Sequence, residues 1–189
     1  MIYKSSYVFL AKIFSMLMAP YFMFFNIFRK KYDLQSIDVK TILVTEYHRI
    51  GDVIIIAPIL KSIKSNFPNA EIILVCNEAA KELAEHLNLA DKVFGVSVPW
   101  TNWRWSFLEW YKIRNFAKNL HFLDIDLGID FKGDIRNSWF LWNTHPKVSF
   151  GYDTTGGGYF FTNTIIMNQN THQYSRASHL IEEFDCQLN

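Results

Sequence analysis

Cysteine is scarce in this chain, with only Cys76 and Cys186 among 189 residues. The two make neither a metal-ligand nor a redox spacing, which excludes a disulfide scaffold, a zinc module and a Cys-x-x-Cys oxidoreductase. Both are expected to be reduced structural residues, in keeping with a cytosolic domain. An excess of charge of one sign is missing too. Nineteen Lys and Arg against eighteen Asp and Glu leave +1, too little for the basic stripe with which a dedicated nucleic-acid binder replaces phosphate counterions. There is no G-x-G-x-x-G after a strand and no P-loop, which disfavours a dinucleotide-binding half-domain; tight dinucleotide binding would revive that reading. His172 and His179 lie two helical turns apart with no Cys or carboxylate at ligand spacing, so no metal is expected. Internal repeats and low-complexity tracts are also absent.

What the chain has in abundance is apolar residues, half of the total, and they are concentrated at its start. Tyr7 to Phe28 reads "YVFLAKIFSMLMAPYFMFFNIF", 22 residues with one charge, Lys12, followed at once by "RKK", Arg29 to Lys31. That length can cross a bilayer, since about 20 apolar residues span the hydrocarbon. Lys12, Pro20 and Asn26 weaken a simple span, however, and the many Phe, Tyr and Met residues suit an interfacial helix equally well. Residues 1–31 are therefore expected to attach to a membrane, spanning or lying flat. A cleaved signal peptide is disfavoured, because the apolar run is too long, no small-x-small site follows it, and the basic cluster lies after it. That cluster predicts the cytoplasmic face of the inner (cell) membrane for the rest of the chain.

After a polar linker over 32–40, strand-like and helix-like segments alternate. "TILVTE" (Thr41 to Glu46) and "EIILVC" (Glu71 to Cys76) read as buried strands. Asn77 to Ala90 opens with an N-cap residue and sets Ala80, Leu83, Ala84 and Leu87 on one helical face. Shorter strands are predicted within Asp91 to Val98, Phe122 to Phe131 and Lys147 to Tyr152, with a helix at about Ser106 to Asn119. Trp103, Phe107, Trp110, Tyr111 and Arg114 share helical spacing and are expected to face the core. The run "VIIIAPIL" (Val53 to Leu60) argues against a helix by its β-branched residues and Pro58. The alternation implies an α/β domain over 41–189, a Rossmann-like parallel sheet with helices on both faces, preceded by the membrane-associated helix.

In such sheets ligands bind outside the carboxyl ends of the strands, which singles out "YHRIGD", Tyr47 to Asp52. Gly51 would let the backbone turn closely, and Asp52 would sit in the first turn of the next helix, where the macrodipole stabilises a carboxylate. By spacing alone an Asp near a helix start is more often a cap than a catalyst. Arg49, Lys132 and Arg136 fall in loops on the ligand side and are candidates for holding acidic groups of a ligand, Arg with bidentate geometry. His48 is a further candidate contact. Asp134 is expected to cap the helix that follows it.

The stretch "ILVTEYHRIGDVIIIAPILKSIKSNFPNAEIILV" (Ile42 to Val75) resembles the opening of glycosyltransferase family 9, the lipopolysaccharide heptosyltransferases. That opening consists of a strand, an Arg-x-Gly-Asp-Val turn, a helix that tolerates proline, and a Phe-Pro-x-Ala-x-Ile return. "DLGIDFKGDIRNSWFLW" (Asp126 to Trp142), "KVSFGYDTTGGG" (Lys147 to Gly158) and "NTHQYSRASHLIEEF" (Asn170 to Phe184) are similar to later parts of the same family's first domain. The resemblance implies the N-terminal half of a glycosyltransferase-B fold, with the acceptor held by the first domain and the nucleotide-sugar donor mainly by a second. It gives Asp52 the role of general base in an inverting transfer. It also implies a lipid-linked saccharide as acceptor partner, with Arg49, Gly51, His48, Lys132 and Arg136 around it, and no cofactor beyond the nucleotide-sugar substrate. A two-domain member is about twice as long, so the donor domain is expected to be absent here. Three readings follow: a truncated fragment of a two-domain enzyme, an acceptor half completed by a separate donor-domain chain, or a non-catalytic membrane-tethered acceptor-binding or scaffold remnant.

Overall fold

The computed structural model describes residues 5–101, 106–166 and 172–188. Six parallel strands form one sheet: β1 (Thr41–Glu46), β2 (Glu71–Asn77), β3 (Lys92–Val96), β4 (Leu127–Asp130), β5 (Val148–Tyr152) and β6 (Asn163–Ile165), in the order β3-β2-β1-β4-β5-β6. This is the doubly wound order whose direction of winding reverses between the first and fourth strands. The short edge strand β6 carries no apolar run, and the sequence pattern did not predict it.

Period-2 alternation divides each strand between two cores. Ile42, Val44, Ile72 and Leu74 face one side, where α2 (Ile50–Asn66), α3 (Glu78–His86) and α6 (Gln173–Glu182) cover them; Leu43, Ile73 and Val75 face the other, under α4 (Phe107–Leu120) and α5 (Ile135–Asn143). Cys76 and Cys186 are free and buried in the first core, and burial pushes each thiol up to about 11.

Several expectations needed correction. The run at Val53 to Leu60 is helical despite Pro58, as the family resemblance implied and the local residue pattern did not. An interior proline costs roughly 3 kcal/mol, whereas full burial is worth about 1.5–3 kcal/mol per aliphatic side chain. Val53, Ile56, Ile59, Leu60 and Ile63 are all buried, so tertiary packing wins. In α3, Asn77 caps as expected, accepting from the Ala79 amide at 3.0 Å. The helix ends at His86, and Asn88, at φ 48°, turns the chain so that Leu89 is buried and Leu87 exposed. The aromatic face of α4 was misassigned. Phe107, Tyr111 and Arg114 are exposed, Trp103 lies outside the described residues, and the buried stripe is Ile113, Ala117 and Leu120, with Trp110 against Trp100 and Trp139. The segment expected as a polar linker packs Tyr32, Leu34, Ile37 and Val39 against the first core.

The N-terminal helix α1 (Ser5–Ile27) lies outside these layers. It is long and apolar enough to cross a membrane, with a mean hydropathy of 1.8, and very little of it is buried.

Candidate functional site

The switch point lies between β1 and β4, and the turns leaving these two strands meet there. After β1 the chain runs through Tyr47 and His48 to Arg49, the N-cap of α2, and Asp52 occupies the first helical turn. After β4 it runs through Phe131, Lys132 and Gly133 to Asp134, the N-cap of α5. As the Gly-Asp spacing suggested, Asp134 caps, accepting from the Arg136 amide at 2.9 Å.

These turns bring Asp52 and Lys132 together. The Lys132 ammonium is 3.0 Å from Asp52 Oδ2 and 3.6 Å from Glu46 Oε1, with 3% of the lysine side chain exposed, 18% of Asp52 and none of Glu46. His48 joins the same group, its Nδ1 3.6 Å from Glu46 Oε1. A fully buried lysine needs carboxylate partners to remain in place, since an isolated buried charge is costly. Glu46 anchors the lysine from beneath and Asp52 meets it at the rim. The second oxygen of Glu46 and the hydroxyl of Tyr47 are buried with no hydrogen-bond partner among the described residues.

Beneath the rim lies Asp130, the last residue of β4 and fully buried. It pairs in register with Thr45 of β1, accepts from the Gly133 amide at 3.1 Å, and receives the Thr45 hydroxyl at 3.3 Å. Burial pushes this carboxyl up to about 7; the Gly133 bond opposes the rise and the charge of Glu46 adds to it. Glu46 and Asp52 thus supply the two carboxyl groups on the Lys132 ammonium, while Asp130, held by Thr45 and the Gly133 amide beneath them, has its carboxyl raised toward neutrality by burial.

The remaining sequence candidates are more scattered. Arg49 is exposed at the start of α2. Arg136 folds back on its own cap, with Nε 2.8 Å and Nη2 2.5 Å from the two oxygens of Asp134. Gly51 requires correction. Its φ is not positive, and a Cβ built on it meets nothing within 4 Å, so the chain's own turn does not require glycine there. It leaves open space in front of the α2 N-terminus, beside Asp52. Gly133 does need to be glycine, with φ +69° and a Cβ position 2.5 Å from the Tyr152 carbonyl oxygen. His172 caps α6 and His179 pairs with Glu183, and no group of three potential metal ligands occurs among the described residues.

Sequence reasoning missed Glu46, Asp130 and Tyr47. Its available signal was an acid closing each of two buried apolar strands, "TILVTE" and "LGID"; only the pairing of β1 with β4 makes the two one cluster.

The class defined by this arrangement is a doubly wound α/β domain with its polar cluster at the switch point. No family model and no curated protein matches the sequence. Solved structures do match. A family 9 glycosyl transferase from Veillonella parvula DSM 2008 superposes with a TM-score of 0.67 at 19% identity, covering 84% of this chain and 44% of that one. The E. coli heptosyltransferase WaaC with ADP-2-deoxy-2-fluoro heptose gives 0.65 at 17% identity, covering 79% and 50%. E. coli ADP-heptose lps heptosyltransferase II gives 0.63 at 11% identity, covering 74% and 39%. The chain has the fold found in these glycosyltransferases and spans half their length or less.

Proposed function

We propose that this chain is the acceptor domain of an inverting glycosyltransferase of the heptosyltransferase type, acting on a lipid-linked saccharide in lipopolysaccharide core assembly. The observation that carries the reading is Asp52 itself: a carboxylate in the first turn of a helix, at the switch point, with open space at Gly51 beside it and a buried lysine 3.0 Å behind it. In the reaction, the acceptor hydroxyl oxygen attacks the anomeric carbon of a nucleotide-sugar. The bond from that carbon to the diphosphate oxygen breaks, the nucleotide diphosphate leaves, and Asp52 takes the hydroxyl proton. The helix N-terminus favours negative charge at Asp52, and Lys132 with Glu46 fixes the carboxylate for proton transfer. Arg49 and His48 border the same space and are placed to meet anionic groups of the acceptor. The nucleotide-sugar is bound mainly by a second domain, whether in a longer form of the chain or in a separate one. The apolar helix and its basic flank suit work on the cytoplasmic face of the cell membrane.

A second reading rests on the same ion pair. Lys132 occupies Oδ2 of Asp52, one of the two oxygens that would take the proton, which suits a membrane-tethered binding protein without transfer activity.

A transfer assay separates the two. The chain is combined with a candidate donor-domain chain, membrane-extracted glycolipid and ADP-heptose. The first reading expects transfer that Asp52→Asn reduces by about 10²–10⁴-fold, with unchanged circular dichroism and glycolipid binding. Turnover by Asp52→Asn at the parental rate would remove the base role. Glycolipid binding with no transfer under any donor combination would favour the second reading.

A further inference from the structure

One stripe of α1 is polar and buried, an unusual feature for a helix this apolar. Ser15 is 6% exposed, and its hydroxyl accepts from the Gly157 amide at 2.8 Å. At Gly156 a Cβ would lie 2.4 Å from that of Ser15, so the absence of a side chain there is what lets α1 approach. Two and then three turns further on, Phe22 packs edge-on against Trp142 and Phe160, and Asn26 donates to the Tyr159 carbonyl at 2.6 Å while accepting from the Trp142 indole at 2.8 Å. Arg29 closes the seam, donating to the Trp142 carbonyl at 2.7 Å with its guanidinium 4.2 Å from the centre of the Trp142 ring, and burial pulls it down to about 10. Ser15, Phe22 and Asn26 recur at helical spacing along about 16 Å of α1, and Arg29, in the turn just past its end, continues the line.

This seam decides the geometry left open by the sequence. Ser15 is the eleventh of the 23 residues of α1, the middle of the helix. If α1 spanned a bilayer with the seam intact, the loop at Gly156 and Gly157 would lie near the membrane centre, its irregular backbone facing hydrocarbon, which lipid-exposed loops do not do. Spanning would instead require Ser15 and Asn26 to give up their partners and enter lipid as unsatisfied polar groups. The side of α1 away from the seam, meanwhile, is a wide apolar surface: Phe9, Leu10, Phe14, Leu17 and Phe24, with Phe28 just past the helix end, are each more than half exposed. Lys12 lies exposed at its border, and Lys30 and Lys31 follow it, also exposed.

We infer that α1 is an in-plane, monotopic membrane helix, clamped to the domain by its polar seam and laying its outer face into the interface of an anionic lipid leaflet. The occupant is lipid because a wide apolar face bordered by lysines that can reach phosphate groups matches a negatively charged headgroup layer. The placement has a consequence for the site. The loop that holds Ser15 follows β5 at the carboxyl edge of the sheet, and Thr155 in it bonds to Gly133 and Ile135 beside the switch point. From Ser15 to Asn26 the helix runs along α5 toward the opposite edge, so the ten residues before Ser15 extend about 15 Å past the site's own edge. Membrane contact therefore sits next to the site. This inference does not depend on the transferase reading.

The test uses the full chain with two single substitutions at exposed positions bordering the apolar face, Lys12→Cys and Lys31→Cys, against sealed vesicles of phosphatidylcholine with or without one quarter phosphatidylglycerol. The protein is expected to float with the anionic vesicles and weakly with the neutral ones. Replacing Lys30 and Lys31 by Gln is expected to weaken anionic binding roughly 30-fold. A membrane-impermeant maleimide added outside is expected to label both introduced cysteines without detergent. Protection of the cysteine introduced at position 12 until detergent is added would mean that α1 spans, and would overturn the inference. Failure to float, with self-association in its place, would assign the apolar face to a second copy and overturn it equally.

Discussion

Two strand-to-helix turns meet at the switch point, and they are built in opposite ways. In the β1–α2 turn the glycine is open: no described residue comes within 4 Å of a Cβ built on Gly51, and the neighbouring Asp52 is at the rim. In the β4–α5 turn the glycine is crowded by Tyr152 and Thr154, and the acid, Asp130, is buried under Thr45 and the Gly133 amide. One turn keeps room in front of a carboxylate; the other consumes its own polar groups to hold a loop in shape. Lys132 belongs to the second turn and reaches into the first, coupling the scaffold to the exposed acid. A glycine and an acid in a strand-to-helix turn therefore mean different things depending on whether the space around them is filled from within the chain.

The sharpest way to break this contrast is Gly133→Ala. The added methyl meets a backbone oxygen at 2.5 Å in a left-handed conformation, and a loss of more than about 3 kcal/mol is expected, read as a lowered denaturant midpoint or failure to fold. Unchanged stability would show that the turn yields. Lys132→Met is expected to cost roughly 3–5 kcal/mol, because Glu46 and Asp52 lose the cation between them. Lys132→Met with Glu46→Gln should recover part of that loss, and an additive double mutant would contradict the coupling of the two turns.

Asp130→Asn tests the buried acid through pH. With its carboxyl raised from 3.8 to about 7, the folded protein holds a proton that the unfolded chain has released. The group therefore favours folding most below about pH 4, and that contribution falls as pH rises to about 7. The change across this window is on the order of 4 kcal/mol, and Asp130→Asn should flatten the slope of stability against pH there. An unaltered slope would mean that Asp130 is ionised throughout. The smallest effect is expected at Gly51→Ala. Stability should stay level or rise by about 0.4–1 kcal/mol, whereas glycolipid binding should weaken if the open space is where the acceptor sits. Loss of stability would show that the turn needs its glycine after all.

Much of the first turn was legible in the sequence. Ile42 to Val44 announce a buried strand, "RIGD" breaks it, and the acid falls in the following helix turn, all within a dozen residues. The second turn resisted reading, since Asp130 and Lys132 acquire their roles from Thr45, Glu46 and Asp52, more than seventy residues away. The aromatic stretch on α4 misled because several stripes of one helix are apolar enough to face the core, and only packing against Trp100 and Trp139 selects one. In α2, local propensity argued against a helix that burial imposes.

Short-range periodicity and turn chemistry determined the α/β alternation, the capping residues Asn77 and Asp134, the position of Asp52 and the apolar character of α1, because each depends on residues a few places apart. Tertiary structure alone decided that Glu46, Lys132 and Asp52 form one charge cluster, that Asp130 is buried beneath it, and that a polar stripe clamps α1 to the domain. Those features depend on which strands lie side by side and which surfaces exclude water, and neither is encoded within a local window of the chain.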